Sequence, residues 1–596
     1  MSIEEQRARF LEDGYLIVPD ALTPGELAPL RQAARAAEAR WREDLSLPGV
    51  RRTDLEQVLG IMEHDPVFFA LLEHPRIFPL VRDLLGPDVM MLDHDYFMTP
   101  PGAEIPNGWH FDFNMPAVDH PRSLLMVKVF YVLEDIPDDG GATLVLPRSH
   151  RTPLDAEMPN AEVPEDLPGA VKMALPAGSA YLITGRTYHS AGNNRSDRYR
   201  HLLIYTYGHK WMRMWDEYRP SASLAARAET PVQEQLLGLT DPYGPPARPH
   251  PPSPSPIAHP SPGRGGATAQ DPHPQPLSRK QERGERQRLG EVPPLPGGRE
   301  CGWERGLGGE GQRRSYADDG YLMIHDALTP EELAAVRQAA DAAEAQWWED
   351  LSLPGTRIPE FLEIEGIMRY SPLLADLAEH PRIFPLVRKV LGPDISIIDH
   401  AYYITPPGGT LDGDAWHTDV RTRVRGVWHA GSTMMVRVMI ALEDIGQDGG
   451  ATLILPGTHR QPDDTPIPRV ATPEEMPGAV RLTCRAGSAY FFHGNVVHSA
   501  GTNRSATTRR VLLYNCGHKW MRIWKGHEPS AEMIAQAATP MRRQLLGLTP
   551  PYRGPEVEIE TPEVWRGAKA MLGFARRFRP TRRTQEWMDE LREGES

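Results

Sequence analysis

The side chains best suited to chemistry in this chain are two short pairings of imidazole with carboxylate. One is His110-x-Asp112, within Trp109–Asp112, and the other His417-x-Asp419, within Trp416–Asp419. In an extended strand residues i and i+2 share a face, so each pair can reach a single point together. A later histidine follows each: His189 in Tyr188-His189-Ser190-Ala191-Gly192, and His498 in Val497-His498-Ser499-Ala500-Gly501. Two imidazoles with one carboxylate suit Fe(II) and leave three coordination positions open. A His-x-Asp alone arises by chance in many chains. Here it stands at matched positions although the loops after it, FNMPAVDHPRS and VRTRVRGVWHAGS, are unlike each other.

An arginine follows each later histidine at the same distance. Arg200 stands 11 residues after His189, and Arg509 stands 11 after His498. The segments between are turn-rich, so a hairpin is expected to fold each arginine beside its histidine on a neighbouring strand. A guanidinium fork there can grip a carboxylate of a ligand whose other end chelates the metal, which is how 2-oxoglutarate is held. An ordinary surface ion pair is the alternative, since Arg195 and Arg198 are close by.

These residues need scaffolding, and the chain writes that scaffold twice. Glu12–Leu27 returns as Asp318–Leu333, Glu73–Asp88 as Glu379–Asp394, and Gly140–Arg151 as Gly449–Arg460. GHKWMR occurs at Gly208–Arg213 and again at Gly517–Arg522. A unit this long is a complete domain with its own core rather than a solenoid repeat. Within each copy Thr23-Pro24 with Glu26 reads as a helix start, and Leu27, Leu30, Ala34 and Ala37 follow at helical spacing. From about Val89 the pattern changes to short β-like runs divided by Pro, Gly and Asp turns, which suggests a β-sandwich or small barrel behind an N-terminal helical layer. The expected domains are 1–244 and 312–555, with a charged tail over 556–596. Between them, Pro245–Pro276 holds 12 prolines in 32 residues, and 245–311 as a whole has too little apolar surface to offset its ordering entropy. It is expected to be a disordered linker whose cleavage releases two folded halves.

Composition narrows the function further. The formal charge of −15 argues against nucleic acid as a partner, and three cysteines rule out a disulfide framework. The sequence has neither a membrane span nor a signal-peptide core, so a cytoplasmic protein that does not bind membranes is expected.

Taken together, the GYLIVPDALTPGEL-type opening, the His-x-Asp, the GGATLVLPRSH block and the distal His with Arg eleven later resemble the phytanoyl-CoA dioxygenase family of Fe(II)/2-oxoglutarate oxygenases, in two tandem copies. The resemblance implies a mainly β fold with N-terminal helices in each copy, built as two double-stranded β-helix (jelly-roll) domains. It implies Fe(II), 2-oxoglutarate and O2 as the reactants that accompany a small-molecule substrate, and oxidation of an unactivated C–H bond. It places the metal on His110, Asp112 and His189, and again on His417, Asp419 and His498, with Arg200 and Arg509 binding 2-oxoglutarate. Halogenating members replace the aspartate with a small residue, and both aspartates are present here. Ala191 and Ala500 stand where some members carry a hydroxyl for the co-substrate, so the rest of that pocket is unassigned. A zinc-type hydrolase with a His₂Asp site, or non-catalytic jelly-roll binding domains, are the competing readings.

Other repeated polar residues have two readings each. His150 and His459 look structural, and Trp109 and Trp416 should face the core. Asp93, His94 and Tyr96, like Asp399, His400 and Tyr402, either line a substrate pocket or hydrogen-bond inside the barrel. Lys128 and Arg437 either hold an anionic group or lie on a solvated face. The loops 102–125 and 407–434 are expected to shape the pocket, and the substrate and the oligomeric state are not readable.

Overall fold

In the computed structural model the described residues are 1–105, 108–112, 124–153, 157–215, 218–243, 316–410, 416–419, 433–461, 465–467, 469–524 and 526–551. The linker 245–311, the tail 556–596 and most of the two expected pocket loops lie outside them.

Each half begins with helix. Thr23 caps Pro24–Glu43 by accepting from the Glu26 N–H at 3.3 Å, and Glu26 returns the bond to the Thr23 N–H at 2.8 Å. Leu27, Leu30, Ala34, Ala37 and Trp41 form its buried stripe. Pro330–Glu349 repeats this arrangement with Thr329 and Glu332.

The strands of the first half are β1 (Tyr15–Val18), β2 (Gly49–Arg51), β3 (Glu56–Val58), β4 (Val89–Thr99), β5 (Val127–Val132), β6 (Thr143–Val145), β7 (Val171–Lys172), β8 (Ala180–Thr184), β9 (His189–Ala191) and β10 (Arg200–His209). Seven form one sheet in the order β1-β8-β5-β10-β4-β3-β2, and three form a second in the order β7-β6-β9. The second half builds the same two sheets from β11 (Tyr321–Ile324), β12 (Gly355–Ile358), β13 (Phe361–Glu365), β14 (Ile395–Thr405), β15 (Met435–Ala441), β16 (Thr452–Leu455), β17 (Val480–Arg481), β18 (Ala489–His493), β19 (Val497–Ala500) and β20 (Arg509–His518). All the pairings are antiparallel, and the mainly β, jelly-roll reading holds in both halves.

The large sheet is covered on both faces, and its central strands are almost wholly buried for that reason. Leu203, Tyr205 and Tyr207 of β10 enter the core beneath the helices with Trp41, Phe68 and Val81. The alternate residues Leu202 and Ile204 face the small sheet with Phe130, Val132, Tyr181 and Ile183. This second face is the interior of the sandwich, and it carries the candidate site.

One local expectation fails. The segment after His189 does not close a hairpin with its neighbour: β9 belongs to the small sheet, and β10 pairs with β4 and β5 in the large one. Turn-rich residues between two strands cannot by themselves distinguish a hairpin from a crossing between sheets. Arg200 consequently faces the small sheet across the sandwich.

His150 is structural, as read. Its Nε2 is hydrogen-bonded to the Leu11 carbonyl at 3.1 Å, and its ring lies where a side chain at Gly14 would go, 2.4 Å from an ideal Cβ. Gly14, at φ 81°, ends the first helix in a left-handed turn. Among the described residues no helix is long and apolar enough to cross a membrane.

Candidate metal centres

The backbone itself brings the two histidines of each set together. His110 and His189 form an antiparallel bridge with reciprocal N–H to carbonyl bonds of 2.9 and 3.0 Å. His417 and His498 do the same at 3.0 and 2.9 Å. Each His-x-Asp thus attaches to the edge of the small sheet beside β9 or β19, and in both sets the imidazole centroids are 4.4 Å apart. The ligand atoms of His110, Asp112 and His189 lie within 4.8 Å of one another, as do those of His417, Asp419 and His498. Asp112 is 3.9 Å from His110 Nε2 and 3.5 Å from His189 Nε2; Asp419 is 3.8 Å from both of its imidazoles.

Hydrogen bonding presents the correct imidazole nitrogen. Nδ1 of His110 is bonded to the Gly108 carbonyl at 2.8 Å, Nδ1 of His189 to Thr187 at 2.8 Å, and Nδ1 of His498 to Val496 at 3.0 Å. A backbone acceptor at Nδ1 puts the proton there and leaves Nε2 with its lone pair facing the carboxylate. Burial also keeps the imidazoles neutral: it lowers the pKa of His110 and His189 and pushes His498 down to about 3. Burial works in the opposite sense on Asp112, but Lys128 and the two imidazoles hold its carboxylate well below the usual range. Neutral imidazoles around an ionised carboxylate are the donor states a divalent cation requires. The His110 and His417 side chains are 30% and 36% exposed, whereas the other side chains of the two sets are at most 7% exposed, so each candidate centre opens on one side.

Arg200 and Arg509 reach across each sandwich interior from β10 and β20 to Thr143 and Thr452 of the small sheet, and both are 6% exposed. Arg200 Nη1 donates to the Gly141 carbonyl at 2.5 Å and approaches Thr143 Oγ1 at 3.4 Å, while the Tyr181 hydroxyl donates to Thr143 at 2.7 Å. Arg509 Nη2 reaches Thr452 Oγ1 and the Tyr490 hydroxyl, both at 3.2 Å. Nε of each arginine is buried without a hydrogen bond among the described residues. An uncompensated buried donor on a cation is costly, and an anionic ligand would satisfy it. These contacts exclude the surface ion pair for Arg200 and Arg509.

Sequence reasoning missed Tyr181 and Thr143, with their counterparts Tyr490 and Thr452. The signal was present, since both copies keep ATL in β6 and β16 and SAY leading into β8 and β18. Lys128 is not on a solvated face. Its Nζ pairs with Asp112 at 2.8 Å, and Arg437 pairs with Asp419 at 2.9 Å. Trp109 and Trp416 are core residues, as read; each indole donates to a proline carbonyl, Pro164 or Pro473. His94 and His400 are structural: their Nδ1 atoms accept from the N–H of Met62 and Met368.

The two interiors share the buried arginine but differ along β3, β4 and β10 and their counterparts. In the first, Asp95 accepts from Gln57 at 2.5 Å and from the Gly60 N–H at 2.9 Å. In the second, Glu363 and Ala401 replace Gln57 and Asp95, Tyr403 replaces Phe97, and Asn515 replaces Thr206. Asn515 bridges Arg437 at 3.2 Å and Asp399 at 2.6 Å. Burial and the nearby Asp399 push Glu363 up to about 7.

A covered two-sheet sandwich whose interior holds both a His₂Asp set and a buried arginine defines the class: an iron- and 2-oxoglutarate-dependent oxygenase. The family model for phytanoyl-CoA dioxygenase matches residues 10–202 and 316–511, and the chain belongs to that family, twice over. Ectoine dioxygenase of Bordetella bronchiseptica is 25% identical over 260 residues, spanning 38% of this chain and 81% of that enzyme. Ectoine dioxygenase of Nocardia farcinica is 29% identical over 242 residues, spanning 34% and 76%. Among solved structures, the epimerase SnoN with Fe3+, alpha ketoglutarate and nogalamycin RO is 25% identical, covers 36% of this chain and 86% of its own, and gives a TM-score of 0.30. HygX from Streptomyces hygroscopicus with nickel, 2-oxoglutarate and hygromycin B is 16% identical, covers 38% and 94%, and gives 0.31.

Proposed function

We propose that the chain is a tandem hydroxylase with two complete sites, one in each of the domains 1–244 and 312–555, acting on an unactivated C–H bond of a small molecule. The observation that carries this reading is the coincidence, in both halves, of a His₂Asp set with a buried arginine whose Nε has no hydrogen-bond partner among the described residues. Bound Fe(II), 2-oxoglutarate and O2 supply the oxidising power, with succinate and CO2 as the co-products. His110, Asp112 and His189 hold the metal in the first site, and His417, Asp419 and His498 hold it in the second. Arg200 and Arg509 bind the distal carboxylate of 2-oxoglutarate, steadied by Thr143 with Tyr181 and by Thr452 with Tyr490. Lys128 and Arg437 orient the aspartates. The exposed edges at His110 and His417 are where substrate enters.

A zinc hydrolase would leave both buried arginines without a role. The ectoine dioxygenases that the chain resembles act on a small molecule, as their name states, and this supports a small-molecule substrate. Anaerobic titration of the apoprotein with Fe(II) and 2-oxoglutarate, followed by visible absorption, tests the reading. Two equivalents of each per chain are expected, and one equivalent would refute the second site.

A further inference from the structure

The repeated GHKWMR has no part in either metal set or in the contacts of Arg200 and Arg509, yet the fold brings its two copies into contact. Met212 and Met521 form an antiparallel bridge. The Arg213 N–H donates to the Trp520 carbonyl at 2.7 Å, and the Arg522 N–H donates to the Trp211 carbonyl at 2.8 Å. The guanidinium of Arg213 reaches the carbonyls of Lys519 at 3.1 Å and Thr549 at 3.0 Å. That of Arg522 reaches Lys210 at 3.2 Å and Gly238 at 2.9 Å. Trp211 and Trp520 are both fully buried, with ring centroids 5.4 Å apart.

Around this crossing Met90, Leu92 and Met126 of the first half pack with Ile398, Met434 and Met435 of the second in one buried cluster. The backbone bonds of Arg213 and Arg522, and the bonds from their guanidinium groups to the carbonyls of Lys519 and Lys210, are each returned by the equivalent residue of the other half. Such reciprocity is the mark of a two-fold, self-complementary interface. A buried aromatic and methionine centre with arginines at its margin is also the composition expected of a lasting protein interface.

We infer that this face is a docking surface whose occupant is the other copy within the same chain. The protein is an intramolecular pseudo-dimer, held by the tryptophan–methionine seam rather than by the residues that connect the halves. On this inference, cleavage of that connection leaves the two halves together. It also follows that the two sites travel as one body.

The test uses the full chain with a specific protease site placed within 245–311. After complete cleavage, size-exclusion chromatography with light scattering should show one particle of about the mass of the chain, 66.7 kDa. Two separately eluting folded fragments would overturn the inference, and a particle of twice that mass would overturn its intramolecular form. In the cleaved protein, Arg213→Ala with Arg522→Ala should weaken the pairing at least about 100-fold, because each change removes charge-assisted bonds to carbonyls. Pairing as tight as in the parent would refute the seam. Should that variant misfold, Met212→Cys with Met521→Cys in the parent tests the same geometry. Oxidation should link the two fragments covalently on a non-reducing gel, and failure to link them would count against the seam.

Discussion

Replacing Arg200 by alanine tests the first buried arginine most directly. The perturbation is best read in a His417→Ala background, so that only the first site reports. Arg200 is 6% exposed, and solvent screening therefore does little to soften the change. Removing one partner of a buried, hydrogen-bonded charge pair costs about 2–5 kcal/mol, which is roughly 30-fold to several thousand-fold in affinity. The upper end is not expected here. Arg200 also bonds Gly141 and approaches Thr143, so part of the loss falls on the protein itself rather than on the ligand. A rise of about 100-fold in the 2-oxoglutarate requirement is the expected result. It would be measured by succinate formation and by anaerobic titration at saturating Fe(II). Iron binding should persist, because the guanidinium is not a metal ligand. Lysine should restore the affinity only in part, since a point charge lacks the planar fork. An unchanged 2-oxoglutarate requirement in Arg200→Ala would refute the assignment and return the zinc hydrolase to consideration.

Three further outcomes follow from the same geometry. His110→Ala together with His417→Ala should abolish succinate formation, while either alone should leave roughly half if the sites are independent; complete loss from one change would show that a single copy carries the activity. Tyr181→Phe should raise the 2-oxoglutarate KM by about 2- to 12-fold with little change in kcat, the worth of one neutral hydrogen bond, because the hydroxyl supports Thr143 and Arg200 rather than the reacting atoms. Trp109→Ala should destabilise the first half by about 3–5 kcal/mol through the cavity it leaves among Leu144, Leu167 and Tyr188, measured by chemical denaturation.

Much of the candidate site was legible in the sequence because duplication acted as an internal control. His110, Asp112, His189 and Arg200 each have a counterpart at matched spacing, and the chemistry proposed for them was read from residue type and spacing. The helix starts were equally readable, since the Thr23 and Glu26 capping pair is a local interaction that does not depend on the rest of the fold. Strand pairing was not local in this sense. Whether β9 and β10 close a hairpin or cross between sheets is decided by which strands compete for their edges, and the turn between them carries no record of it. For the same reason Lys128 could not be placed on Asp112, nor Tyr181 and Thr143 beside Arg200, until the register of the large sheet set which side chains face inward. The seam shows the contrast most clearly. GHKWMR was visible as a repeat, but its meeting with its own copy joins residues more than 300 positions apart, and only the tertiary structure brings such distant segments together.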